Sequence, residues 1–139
     1  MSNLRVGSRC VFCRIAAGVA PARVVHEDEA TVSFLDTSPA APGHTLVVPR
    51  IHVVTLDEAD PATAGSVMAT ASVVARLLRD RLAPDGLTLV QTNGRAGWQD
   101  VDHLHVHLVP RWAGDDLVPP WTPRRAADGH LDEVLAQLS

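Results

Sequence analysis

Apolar residues recur along this chain in short runs broken by polar, proline-bearing turns. In one longer stretch they recur every three or four positions. That stretch follows Asp60-Pro61, where Ala64, Val67, Met68, Ala71, Val74, Ala75, Leu78 and Leu82 fall on one face of a 3.6-residue repeat. It predicts an amphipathic helix. Asp60 suits the N-cap and Pro61 the first helical position. Arg76, Arg79 and Arg81 gather towards the end, where positive charge complements the helix dipole, and Pro84-Asp85-Gly86 follows as a turn.

The other runs have strand length. Val24–Val25 and Ala30–Leu35 predict two strands about the polar turn His26-Glu27-Asp28-Glu29. Thr45–Pro49 predicts a third, apolar enough to be central. Leu87–Gln91 and Leu104–Val109 predict a fourth and a fifth. Asp36 to Gly43, with Pro39 and Pro42, reads as a loop, as does Asn93-Gly94-Arg95-Ala96-Gly97. Residues 11–17 predict a short helix stopped by Gly18, and Leu131–Leu138 a final one. Residues 1–9 read as a loose tail, and prolines make the C-terminal stretch mostly irregular. With no repeat or linker, the pattern predicts a single α+β domain over 1–139, with a mostly antiparallel sheet and one long helix.

Composition narrows the function. The chain has 139 residues, 46% hydrophobic and 20% charged, which are values of an ordinary globular protein. Its net charge of −4 gives no basic balance for nucleic acid, so no nucleic-acid partner is expected. All twelve basic residues are arginine, so a catalytic lysine, a Schiff base and a P-loop lysine are excluded. No apolar run reaches the ~18 residues of a membrane span, and residues 1–10 lack the apolar core of a signal peptide. The expectation is a cytoplasmic protein with no membrane partner. The two cysteines, Cys10 and Cys13, form a C-x-x-C pair with no strand before it, which favours metal binding over redox chemistry. A metal needs further ligands, and histidine is the place to look.

The informative segment is Asp102-His103-Leu104-His105-Val106-His107-Leu108-Val109. On a strand, His103, His105 and His107 share one face while Leu104, Val106 and Leu108 turn to the core. Three readings follow. The row is a solvated or hydrogen-bonded feature of a sheet surface. Or it is a catalytic metal site, although three such positions span about 13 Å, too far for all to reach one ion. Or one histidine is a nucleophile and its neighbours bind an anion. For the last, the attacking nitrogen must be unprotonated, with the other donating, most cheaply to a backbone carbonyl. An imidazole with its usual pKa of ~6.5 is mostly neutral near pH 7.

His103 to Val109 resembles the signature of the histidine triad (HIT) family at every position, H-φ-H-φ-H-φ-φ with φ apolar. Cys10-Val11-Phe12-Cys13, Phe34-Leu35-Asp36, Ala41 to Pro49, His52 and Asn93-Gly94 resemble family segments in the same order, so the resemblance covers roughly residues 10–112. It implies a HIT-like α+β fold with a five-stranded sheet, a homodimer and purine-nucleotide binding. It implies hydrolysis or transfer at the α-phosphate through a covalent nucleotidyl-histidine, with no catalytic metal. By position His105 resembles the nucleophile, His107 and Gln99 phosphate and leaving-group ligands, and His44 a second histidine at the site. His103 belongs to the same catalytic row. Asp36 resembles the acceptor of ribose hydroxyls. Phe12, Ile15, Phe34, Leu35 and Leu46 resemble base-pocket walls, and Asn93 and Gly97 belong to the nucleotide-binding set. Cys10, Cys13, His52 and His103 resemble the Cys₂His₂ set of a structural zinc found in some members.

The chain departs from the family in the loop before the triad. Gly-Gln-Ser or Gly-Gln-Thr is usual there; this chain has Gly97-Trp98-Gln99-Asp100. An ionised aspartate cannot donate as a hydroxyl can, and it repels phosphate. Asp100 is expected to point away, or to pair with a cationic leaving group or with Arg95. Trp98 is expected to cap the pocket. Residues 113–139 form the part that varies between branches, and Trp121, Arg124 and Arg125 read as surface residues, with reaching a polyphosphate as the alternative. The expected substrates are nucleoside phosphoramidates or adenylates. The alternatives are a hydrolase or phosphorylase of dinucleoside polyphosphates, and a nucleotide-binding or interaction module with little turnover.

Overall fold

The computed structural model describes residues 8–139, so residues 1–7 of the expected tail lie outside the described residues. The order of elements is α1 (Val11–Ala16), β1 (Val24–Glu27), β2 (Thr31–Leu35), β3 (Thr45–Pro49), α2 (Pro61–Leu82), β4 (Gly86–Gln91), β5 (Val106–Arg111) and α3 (His130–Leu138). The strands form one five-stranded sheet in the order β1-β2-β3-β5-β4. Every pairing is antiparallel.

Alternation along the strands divides the core into two layers. On one face Val47, Leu104, Val106 and Leu108 pack against Val67, Ala71, Val74 and Leu78 of α2. On the other, Phe12 of α1 packs with Val32, Phe34, Leu46 and Val48. The histidines that alternate with Leu104 and Val106 therefore face α1. Phe12 meets the rings of His103 and His105 edge-on, at centroid distances of 5.9 and 5.2 Å.

The long helix starts as its sequence predicts. The Asp60 carboxylate accepts the Thr63 N–H at 2.7 Å, and Pro61 takes the first turn. It ends on Ala83 in the left-handed region (φ 49°), whose N–H donates to the Arg79 carbonyl at 3.1 Å. By length and composition alone α2 is long and apolar enough to cross a membrane. A helix whose apolar face packs on a sheet passes the same test.

Boundaries differ from expectation for local reasons. The turn after β1 shrinks to Asp28–Ala30 because the Asp28 carboxylate accepts the N–H groups of Ala30 and Thr31, at 2.9 and 2.8 Å. The fifth strand begins at Val106, not Leu104, because the Leu104 N–H donates to the Val53 carbonyl at 2.7 Å and not to a neighbouring strand. β5 also runs through Pro110, which was expected to lie beyond it. Pairing with β3 covers only Val106–Leu108, while β4 pairs as far as Arg111. Pro110 thus sits where one side of the strand has no ladder to lose.

Candidate active site

The site is built where β5, the loop before it and the approach to β3 converge. His105 is buried, and its Nδ1–H donates to the His103 carbonyl at 2.7 Å. That bond fixes the tautomer and leaves the Nε2 lone pair unprotonated. His105 lines a cavity of about 820 Å³, a volume suited to a nucleotide-sized ligand.

A second set of bonds assigns His107. The Ala40 N–H donates to His44 Nδ1 at 2.9 Å, so the proton of neutral His44 sits on Nε2. His44 Nε2 lies 2.9 Å from His107 Nδ1 and donates to it. His107 then carries its proton on Nε2 and is a hydrogen-bond donor. Burial, with the rings of His105 and His44, pushes His107 down to about 4 against the pull of Asp36 and Asp100. Burial also lowers His44, opposed by Asp36. Both rings are therefore neutral near pH 7. Adjacent residues on one sheet face thus differ in kind, one offering a lone pair and the other a proton.

His44 holds its place through Gly43, whose φ of +86° suits glycine. A Cβ there would stand 2.5 Å from Leu82 Cδ1 and 3.2 Å from Pro110 Cγ. The end of α2 and β5 therefore close on the segment that presents His44.

Phe12, Ile15, Phe34, Leu35, Leu46 and Asp36 line the same cavity. Asp36 accepts the Ser38 N–H through Oδ1 at 2.8 Å, and its Oδ2 lies 3.6 Å from His44 Nε2. Arg23 lines the cavity as well. It lies in an irregular stretch with no period or motif, so no sequence signal marks it. Asp100 does not point away. It lines the cavity, with Oδ1 3.7 Å from His105 Nε2.

Three predicted residues stand elsewhere. Gln99 is buried in the loop, where Oε1 accepts the Gly94 N–H at 2.8 Å. Its Nε2 donates to the carbonyls of Val54 and Val101, at 2.7 and 3.0 Å. With both donors spent on backbone, Gln99 shapes the loop and has none to offer a phosphate. Asn93 is likewise engaged, accepting from Leu56 N–H at 2.7 Å and exchanging bonds with Gln91. Gly97 lies in a short 3₁₀ turn with Arg95 and Ala96, away from the lining. Trp98, expected as a cap, is also absent from the lining. It adopts φ 76° and stacks on Trp121 at 6.1 Å. Trp121, Arg124 and Arg125 are exposed.

Behind the cavity, Cys10, Cys13, His52 and His103 converge, their ligand atoms all within 4.8 Å of one another. Sγ of Cys10 and of Cys13 lie 3.4 and 3.5 Å from His103 Nδ1, and Cys13 Sγ lies 3.2 Å from His52 Nδ1. The two Nδ1 atoms are 3.2 Å apart. A tetrahedral zinc with the usual bond lengths gives edges of about 3.3–3.6 Å between such atoms. His103 Nε2 donates to the Pro49 carbonyl at 2.9 Å, leaving Nδ1 as the ligating nitrogen. The set is compatible with zinc. Through His103 it also adjoins the carbonyl that orients His105.

A HIT domain family model matches residues 17–114. The chain belongs to the HIT family. An uncharacterised HIT-like protein of Methanocaldococcus jannaschii is 39% identical over 93% of this chain and 98% of its own length. The adenylylsulfatase HINT3 of Arabidopsis thaliana is 32% identical over 78% of this chain and 58% of its own. Among solved structures, a zinc-bound histidine triad protein from Mycobacterium smegmatis is 41% identical. It superposes with a TM-score of 0.76, covering 94% of this chain and 95% of that one. The histidine row is thus the family's triad.

Proposed function

We propose that the chain is a nucleotidyl hydrolase or transferase that cleaves purine-nucleotide derivatives at the α-phosphate through a covalent nucleotidyl-His105. The observation that carries this is the tautomer of His105. Its Nδ1–H is held by the His103 carbonyl at 2.7 Å, which leaves an Nε2 lone pair in an open cavity. The apolar walls, Phe12, Ile15, Phe34 and Leu46, take the base, and Asp36 accepts from the ribose hydroxyls. His107 Nε2–H donates to a phosphate oxygen.

In the first step His105 Nε2 bonds to the α-phosphorus. The bond to the leaving group breaks, its electron pair departs with the leaving atom, and that atom takes a proton from solvent. Water then attacks the phosphorus and the P–N bond breaks. Nε2 recovers its pair, the proton of water is released, and the nucleoside monophosphate leaves.

Zinc in the Cys10, Cys13, His52, His103 set is read as structural: bound there, it ties α1 to the triad segment and leaves no open position for a substrate. The chain is also read as a homodimer through α2 and the edge strand β4. Met68, Leu89 and Val90 are 55%, 42% and 37% exposed and line one apolar recess. Sedimentation of wild type and Leu89→Arg tests this: a dimer made monomeric by the charge is expected, and a wild-type monomer contradicts it.

The test of the reaction is turnover of an adenosine phosphoramidate beside diadenosine tetraphosphate, with His105→Ala and with chelator. His105→Ala is expected to lose about 10³-fold or more in kcat, with activity kept in chelator while the protein stays folded. Nucleotide binding without turnover would contradict the reaction and leave the pocket.

A further inference from the structure

We propose that Cys10 and Cys13 form a thiol modification site, at which a peroxide joins them as a disulfide and so withdraws both sulfurs from the Cys₂His₂ set. The step releases a bound metal and loosens the cavity wall that α1 supplies. Its effect on ligand binding rests on the reading of that cavity as the nucleotide site.

The chain has two cysteines, and they differ in access. Cys10 is half-buried and Cys13 fully buried. A peroxide thus meets Cys10 first, and Cys13 is the thiol behind it. The two bracket a single turn. It is closed by the Arg14 N–H on the Cys10 carbonyl at 3.1 Å and by the Cys13 N–H on Cys10 Sγ at 3.4 Å. Helix geometry sets Cα atoms three residues apart at about 5 Å, inside the span that a disulfide bridges. The two Sγ atoms lie within 4.8 Å of each other. The bond therefore forms by rotation of two side chains, without moving another segment.

The other two ligands come from far along the chain. His52 is 39 positions from Cys13, and His103 is 93 from Cys10. A disulfide leaves these two histidines alone, where a structural zinc takes four ligands. His103 does not depend on the sulfurs for its place, since its Nε2–H is held by the Pro49 carbonyl at 2.9 Å. Its own carbonyl keeps the Nδ1–H of His105 at 2.7 Å. The element that loses its ties is α1. Val11 and Phe12 lie between the cysteines and Ile15 just beyond them, and all three line the cavity. The Phe12 ring centroid is 5.4 Å from that of Phe34 and 5.2 Å from that of His105. Oxidation is thus felt in the apolar wall, while the attacking nitrogen stays placed.

The electrons balance with hydrogen peroxide as the oxidant. The Cys10 thiolate attacks one oxygen. An S–O bond forms, the O–O bond breaks, and the departing hydroxide takes a proton from solvent as water. The Cys13 thiolate then attacks the Cys10 sulfur. An S–S bond forms, the S–O bond breaks, and a second hydroxide leaves and becomes water. Two thiolates give up two electrons and the peroxide accepts them. A dithiol reverses the step by exchange and is itself oxidised.

The experiment treats the reduced, zinc-loaded protein with stoichiometric hydrogen peroxide. Released zinc is read with a chromogenic chelator, the thiols by non-reducing peptide mass mapping, and the Kd of adenosine monophosphate before and after. One zinc is expected for each Cys10–Cys13 disulfide, with a rise in Kd of about 10-fold or more. The kcat on an adenosine phosphoramidate at saturation is expected to hold, and dithiothreitol with zinc to restore the starting Kd. In Cys13→Ser a sulfenic acid is expected at Cys10, trapped by dimedone, and in Cys10→Ser no such adduct at Cys13. The wild-type measurements stand whether or not these variants fold. Resistance to peroxide, zinc release without a disulfide, a disulfide with the metal retained, or an unchanged Kd after full oxidation would overturn the proposal. A reduced protein that binds no adenosine monophosphate would overturn the nucleotide reading, while the disulfide and the released zinc still decide the modification site.

Discussion

At the scale of single residues, proton placement decides what each histidine does. His105 and His107 are two positions apart on one face, yet one is held as a lone pair and the other as a donor. A consequence can be read in stability. His107 is held near 4 in the fold against an ordinary 6.5, so between these values the unfolded chain binds a proton that the native chain does not. Its contribution is fully present above about pH 6.5 and is lost as pH falls towards 4; His44 acts in the same direction. The urea midpoint of wild type should fall over that window, and that of His107→Asn should fall less. Equal slopes would contradict the placement of the proton.

The same scale shows what a sequence can carry. The carbonyl partner of His105 is legible because every strand offers one nearby. The function of Gln99 is not, because its partners include the Val54 carbonyl, 45 positions away along the chain. Asp100 had several expected directions; its place is decided by Arg95 turning to the loop backbone and Asp102.

At the scale of elements, periodicity predicts what packs on a wide apolar face. The bounds of α2 follow from its repeat, its N-cap and its proline. β5 is shifted because its start depends on where Leu104 finds a carbonyl, and that is set by the segment around Val53. Element packing also reaches the site through Gly43. Gly43→Ala would place a Cβ in contact with Leu82 and Pro110 at a positive φ. The expected cost is about 2 kcal/mol or more in urea unfolding, with a fall in kcat as the His44 segment shifts. Wild-type stability in this variant would show that the approach of α2 is not tight.

At the scale of the whole molecule, two clusters share the triad segment. His103 belongs to the Cys₂His₂ set, and its carbonyl orients His105 two positions on. Metal removal should therefore act on the fold before the chemistry. Chelation under mild denaturant, or Cys13→Ser, should lower the unfolding temperature and restore nothing on addition of magnesium, while zinc restores the chelated wild type. An unchanged transition with zinc present at one equivalent in the purified protein would contradict a structural role.

The covalent intermediate is the centre of the account, and denaturing mass spectrometry of the protein quenched shortly after mixing with an adenosine phosphoramidate tests it most directly. The expected result is one adenylyl group, mapped by peptide fragmentation to His105 and absent from His105→Ala. Turnover by wild type with no adduct at any quench time, together with turnover retained in His105→Ala, would contradict it.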